Sequence, residues 1–98
     1  MRKTDKKTDR EIIKQLTNLC EAAKDMHTGF IWLTHEVNYQ RFPQSLKVVL
    51  VFDDKVSEAT LLSEFQKLMP KVQAALEPLL GHVLPPKQIE ACREHVMH

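Results

Sequence analysis

The segment Phe30–Asp54, FIWLTHEVNYQRFPQSLKVVLVFDD, restricts this chain more than any other part of it. It holds the only Trp (Trp32), the only Tyr (Tyr39) and three of the four Phe. It also holds five of the twelve Val and Ile residues. Such side chains suit the pleated, half-buried surface of a sheet. The segment reads as two strands, residues 30–37 and 46–52. In the second, Leu46, Val48, Leu50 and Phe52 share the core face, and Lys47, Val49 and Val51 point the other way. In the first, Ile31, Leu33, His35 and Val37 share one face, and Phe30, Trp32, Thr34 and Glu36 the other. Trp32 and Phe52 are both expected to be buried. The connection NYQRFPQS has eight residues, too many for a two-residue hairpin turn. Pro43 has no amide hydrogen for a ladder and belongs in that loop. Antiparallel pairing is the simplest topology.

Helical patterns flank this pair. Over residues 9–27, Ile12, Leu16, Leu19, Cys20 and Ala23 recur at three- and four-residue spacing and form one apolar stripe. Thr8 and Glu11 match a capping box, and Gly29 is a natural stop. After a turn at 53–56, Ser57 caps a second helix with Glu58 in its first turn. Leu61, Leu62, Phe65, Leu68, Met69, Val72, Leu76, Leu79 and Leu80 keep helical spacing up to Gly81. Pro70 interrupts this run, which is expected to form two helical pieces, because an interior Pro removes a hydrogen bond. Residues 81–84 read as a short third strand or a connection, and Pro85-Pro86 ends it. Residues 87–95 read as a terminal helix with Ile89, Cys92 and Val96 inward.

With 98 residues there is room for one domain. Net charge is +1, so no global electrostatic case for nucleic acid arises. Residues 1–10 nonetheless carry five basic and two acidic side chains, a local +3 that leaves −2 on the rest. Residues 1–8 are expected to be a flexible basic arm and 9–98 the folded domain. Arg2, Lys3, Lys6 and Lys7 are the candidate nucleic-acid-binding residues. The basic opening is not followed by an apolar core and a cleavage site, so no secretory signal is expected. No apolar run reaches the length of a membrane span. With Cys20 and Cys92 read as free, packed thiols, a cytoplasmic location is expected.

The candidate chemistry is thin. Cys92, His95 and His98 are spaced three apart, which on a helix places them near one face. Zinc would still need a fourth ligand such as His82 or Cys20. Surface histidines beside a packed Cys92 are the expected arrangement, with no metal and no cofactor. His35 and Glu36 are adjacent on a strand and point to opposite faces, so they form no dyad. Asp53 and Asp54 are read as turn and capping residues. Cys92 with His95 lacks any oxyanion-stabilising group, and two glycines supply no phosphate loop. No catalytic residue is assigned. Trp32, Tyr39 and Phe42, with Arg41 and Lys47 nearby, could stack bases, but they are read as packing residues.

Over Trp32-Leu33-Thr34-His35, Val37-Asn38-Tyr39, Phe42-Pro43, Ser45-Leu46-Lys47-Val48-Val49 and Val51-Phe52, the chain resembles a family of short bacterial proteins often labelled Fis-type transcriptional regulators. The opening Met1-Arg2-Lys3-Thr4-Asp5-Lys6-Lys7 and the residues Glu90-Ala91-Cys92 and Glu94-His95 share that resemblance. It implies a bacterial source and a regulatory role, and it transfers no functional residues. Residues 82–98 hold Pro85-Pro86 with only Lys87 and Arg93 as basic residues, so no helix-turn-helix recognition element is expected there.

These readings combine into a small single α+β domain. It has an N-terminal helix, an antiparallel strand pair with room for a short third strand, and a helical C-terminal half on one sheet face. Exposed strand edges point to a homodimer or a protein partner. The leading functional reading is a non-enzymatic interaction or regulatory module. The alternative is a nucleic-acid-binding regulator, and a small metal protein or enzyme comes third.

Overall fold

The computed structural model describes residues 3–94. The chain is an α+β domain in two layers. Helix α1 spans Lys3–Lys24, strands β1 and β2 span Phe30–Glu36 and Lys47–Phe52, helix α2 spans Glu58–Leu80, and strand β3 spans Ile89–Arg93. The sheet order is β1-β2-β3. β1 and β2 are antiparallel, with Leu33 opposite Leu50 and His35 opposite Val48. β2 and β3 are parallel, with Val48 opposite Ile89. A parallel neighbour needs a long crossover, and α2 supplies it.

Both helices pack on the sheet face that carries Leu46, Val48, Leu50 and Phe52. Ile12, Leu16 and Ala23 of α1 and Leu68, Val72 and Leu76 of α2 join those residues in one core with Leu84 and Ile89. Phe52 is fully buried and meets Phe30 edge to face at 5.8 Å between ring centres. The alternation read from 46–52 is the face pattern of β2.

Four expectations are corrected. Helix α1 begins at Lys3, not at residue 9, so residues 3–8 of the basic segment are helical turns. Thr8 is not its cap: the Thr8 hydroxyl donates to the Thr4 carbonyl at 2.9 Å, the option open to a threonine inside a helix. Helix α2 runs unbroken through Pro70 and Pro78. The carbonyls these prolines leave unpaired belong to Gln66 and Ala74. All four residues are exposed on one stripe, so the lost bonds fall on the solvent side of the helix, where proline is best tolerated.

The third correction concerns β1. A bulge between Phe30 and Trp32 puts one extra residue into the strand. Phe30 therefore lies opposite Phe52 in the core, while Trp32 lies opposite Val51 on the other face, 42% exposed. Trp32 is not a core residue. The fourth is the C-terminal segment: residues 89–93 are a strand and residues 81–84 a connection, so the third strand exists but lies later in the chain. Cys92, placed by helical spacing on an inward stripe, is instead exposed on β3. Val96, His95 and His98 lie outside the described residues.

Two ends hold as read. Ser57 accepts the Thr60 amide at 3.1 Å and caps α2. Gly81 closes it in the left-handed region at φ 77°, its amide donating to the Glu77 carbonyl. Gly29 is not the stop of a helix running to residue 27: α1 ends at Lys24, and Gly29, at φ 80°, instead serves the turn into β1, where a Cβ would lie 2.8 Å from Val56 Cγ2. No helix among the described residues is long and apolar enough to cross a membrane.

Candidate functional site

Two surfaces follow from this architecture. The first is a groove of about 340 Å³ between α1 and the outer edge of β1. Ile13, Leu16, Thr17 and Cys20 line it from the helix, with Glu21 and Lys24, and Leu33, Thr34 and His35 line it from the strand. Ile12 and Leu16 turn inward to the core, so the adjacent stripe of α1 overhangs the edge strand. Ile13 on that stripe is 47% exposed.

At one end of the groove, Asp9 ties α1 to the strand. Its Oδ1 accepts the Tyr39 hydroxyl at 2.7 Å and lies 3.2 Å from His35 Nε2. These bonds, Tyr39's first, hold the Asp9 carboxyl below the usual carboxylate range. Burial, reinforced by Asp9, raises the Tyr39 phenol. Asp9 also constrains what Cys20 can do. Eleven residues of one helix separate them, roughly 16 Å along its axis. A His35 engaged with Asp9 therefore cannot also reach the Cys20 thiol, and no Cys-His-Asp relay forms.

A second polar cluster sits behind the core. His27, the one buried polar residue among the described residues, has Nδ1 2.6 Å from Glu64 Oε2 and Nε2 2.9 Å from Lys71 Nζ. An ammonium only donates, so Lys71 donates to Nε2 and the ring proton on Nδ1 goes to Glu64. The His27 bond holds the Glu64 carboxyl below its ordinary value. This chain anchors the turn after α1 onto α2. Its groups satisfy one another.

The second surface is the sheet face opposite the helices. Trp32 is exposed there beside Thr34, Val49, Val51 and Cys92. Val51 is 4% exposed yet lies outside the helix-packed core. Lys47 and Glu90 pair across this face at 3.0 Å, and the Glu90 carboxylate raises the Lys47 ammonium. Neither helix packs on this face.

The residues singled out from the sequence fall as follows. Arg2 lies outside the described residues. Lys3 opens α1, and Lys6 and Lys7 are exposed on its first turns. Arg10 and Lys14 continue the same side of the helix, a continuation that the arm-and-domain division obscured. Cys92 stands on a strand, so the helical argument that set it beside His95 and His98 does not apply. Among the described residues no group of three or more His, Cys, Asp or Glu could hold a metal ion. Asp53 accepts the Lys55 amide at 2.8 Å in the turn before α2, which lowers its carboxyl.

No known family's model matches the chain, and no curated protein or solved structure is similar to it at a significant level.

Proposed function

We propose that this chain is a cytoplasmic, non-enzymatic interaction module that receives a partner protein on the open face of its sheet. One observation carries the reading: Trp32 stands exposed over Val49 and Val51 on a face that neither helix covers. Exposed Trp with an apolar surround is the composition of an interface centre. Free edges at β1 and β3 give the same face room to extend. The test is site-specific photo-crosslinking in the native host, with the probe at Thr34 or Val49 and a control probe at Gln66 on the solvent side of α2. A defined protein adduct from the sheet positions, absent at Gln66 and lost in Trp32→Ala, is expected. Adducts no different from the control would overturn the reading.

A second reading, the nucleic-acid-binding regulator implied by the family resemblance, is favoured by a different observation. Lys6, Lys7, Arg10 and Lys14 are exposed along one side of α1, while Asp9 is turned away to Tyr39 and His35. With at most about four phosphate contacts, binding through Arg2, Lys3, Lys6 and Lys7 is weak and nonspecific, with a log-log salt slope no steeper than about −4, so that it is lost at moderate salt. Gel shifts with Lys6→Glu/Lys7→Glu across a salt series distinguish it. Sequence-specific, salt-resistant binding that survives the substitutions would place recognition elsewhere on the chain.

A further inference from the structure

The geometry points to a two-fold homodimer in which β1 pairs with β1 of a second copy and the outer sides of the two α1 helices pack across the axis. This goes beyond the partner-docking reading and does not depend on it, because it uses the edge of the sheet rather than its open face.

The edge comes first. β1 and β3 both end the sheet, but they are guarded differently. β3 has five residues, includes Glu90 and Arg93, and follows Pro85-Pro86. Arg93 reaches back to the carbonyls of Asp54 and Val56. Charge and shortness are the usual protections of an edge against pairing. β1 is longer, has no Pro, and carries no acidic or basic residue other than His35 until Glu36. Its bulge lies at the Phe30 end and leaves Trp32–Glu36 regular. An added strand there also fills the groove, because side chains opposite Leu33 project beneath α1.

The helix then selects the occupant. Along the outward side of α1, Arg10 and Lys14 precede Glu21 and Asp25. All four are exposed, and none has an ion-pair or hydrogen-bond partner among the described residues. The groove lining runs from Ile13 to Lys24, centred near Asn18. A two-fold axis between Thr17 and Asn18 sets the helices antiparallel. It brings Lys14 against Glu21 of the other copy and Arg10 against Asp25, each pair occurring twice. The same axis sets the β1 strands antiparallel near Leu33 and covers Ile13. A single peptide strand on β1 would leave those four charges without partners. A second copy satisfies edge, groove and charges together.

Sedimentation equilibrium on the full chain tests this, with Lys14→Glu, Glu21→Lys and the double variant. Each substitution is on the surface, and circular dichroism checks that the fold is kept. The wild type is expected to be dimeric. Each single reversal turns two attractive pairs into repulsive ones and raises the dissociation constant roughly tenfold. The double variant restores both pairs and returns it toward wild type. A second measurement is oxidation of Thr17→Cys in a Cys20→Ser/Cys92→Ser background. Position 17 lies by the axis, so it forms a disulfide-linked dimer faster than Gln66→Cys. A chain that stays monomeric at concentrations on the order of millimolar, a dimer indifferent to the single reversals, or equal oxidation at 17 and 66 would each overturn the arrangement.

Discussion

His27 and Glu64 are 37 residues apart in the chain and 2.6 Å apart in space, Nδ1 to Oε2. The contact joins the turn that launches the sheet to the helix that covers it. Lys71 closes the other side of the ring at 2.9 Å, so the imidazole is fixed from both nitrogens.

That bond makes stability depend on pH. The folded-state pKa of Glu64 lies below its ordinary value of 4.5, chiefly because His27 donates to it. A depressed carboxyl contributes stability that is fully present above the unfolded-state pKa and is lost as pH falls through the folded-state value. Glu64→Gln should therefore unfold earlier than wild type in urea at neutral pH. The gap between the two should narrow on acidification to about pH 3. A gap that stays constant would show that the Glu64 charge contributes nothing to the folded state.

The two large residues of opposite sheet faces should separate cleanly. Phe52 is fully buried against Phe30, so Phe52→Ala should cost roughly 3–5 kcal/mol. Trp32 is 42% exposed and outside the core, so Trp32→Ala should lose much less, about 1 kcal/mol. Chemical denaturation of both variants decides it. Equal losses would mean that the bulge does not divide these residues between the faces.

The glycines provide a second pair. Both Gly29 and Gly81 have positive φ, but only Gly29 has a neighbour in the way of a side chain, Val56 at 2.8 Å. Gly81→Ala should lose about 1–2 kcal/mol from backbone strain alone. Gly29→Ala should lose more, and Gly29→Ala/Val56→Ala should recover the part due to the clash. Thermal melts of the three variants give the comparison.

Pro70 offers the reverse experiment. Its ring withholds one hydrogen bond from a continuous helix, and the freed Gln66 carbonyl faces water. Pro70→Ala restores that bond and should stabilise the chain by about 1–2 kcal/mol, less than the full proline penalty, because the unfolded chain also gains freedom. A destabilised variant would mean that the helix needs a bend at this position.

How much of this was legible in the sequence depended on how local each signal was. β2 was read correctly because Leu46, Val48, Leu50 and Phe52 alternate without interruption in a central strand. Trp32 was set on the same face as Phe30, and in the core, because one inserted residue reverses the alternation and nothing in FIWL marks the insertion. IEACR over 89–93 fits a helical or a strand period equally, since five residues cover too little of either. Its parallel partner is chosen by the length of α2, which no local pattern records. Pro70 misled because the rule for interior prolines does not say which side the orphaned carbonyl faces. The groove was invisible for a related reason: Ile13 and Leu33 have no spacing relation, and only the packing of α1 beside β1 unites them. Asp9 and Tyr39, 30 residues apart, carried no mutual signal at all.

The parallel seat of β3 also sets an order of events during synthesis. Helix α1 and the β1–β2 hairpin emerge from the ribosome with all the partners that hairpin pairing requires. The other edge of β2, rich in valine, then waits while the whole of α2 and both of its linkers are translated. Only when Ile89 emerges can it pair with Val48 and close that edge. A nascent chain paused within α2 thus displays an open, aggregation-prone strand. Slow codons in that stretch would prolong the interval in which a chaperone must shield it.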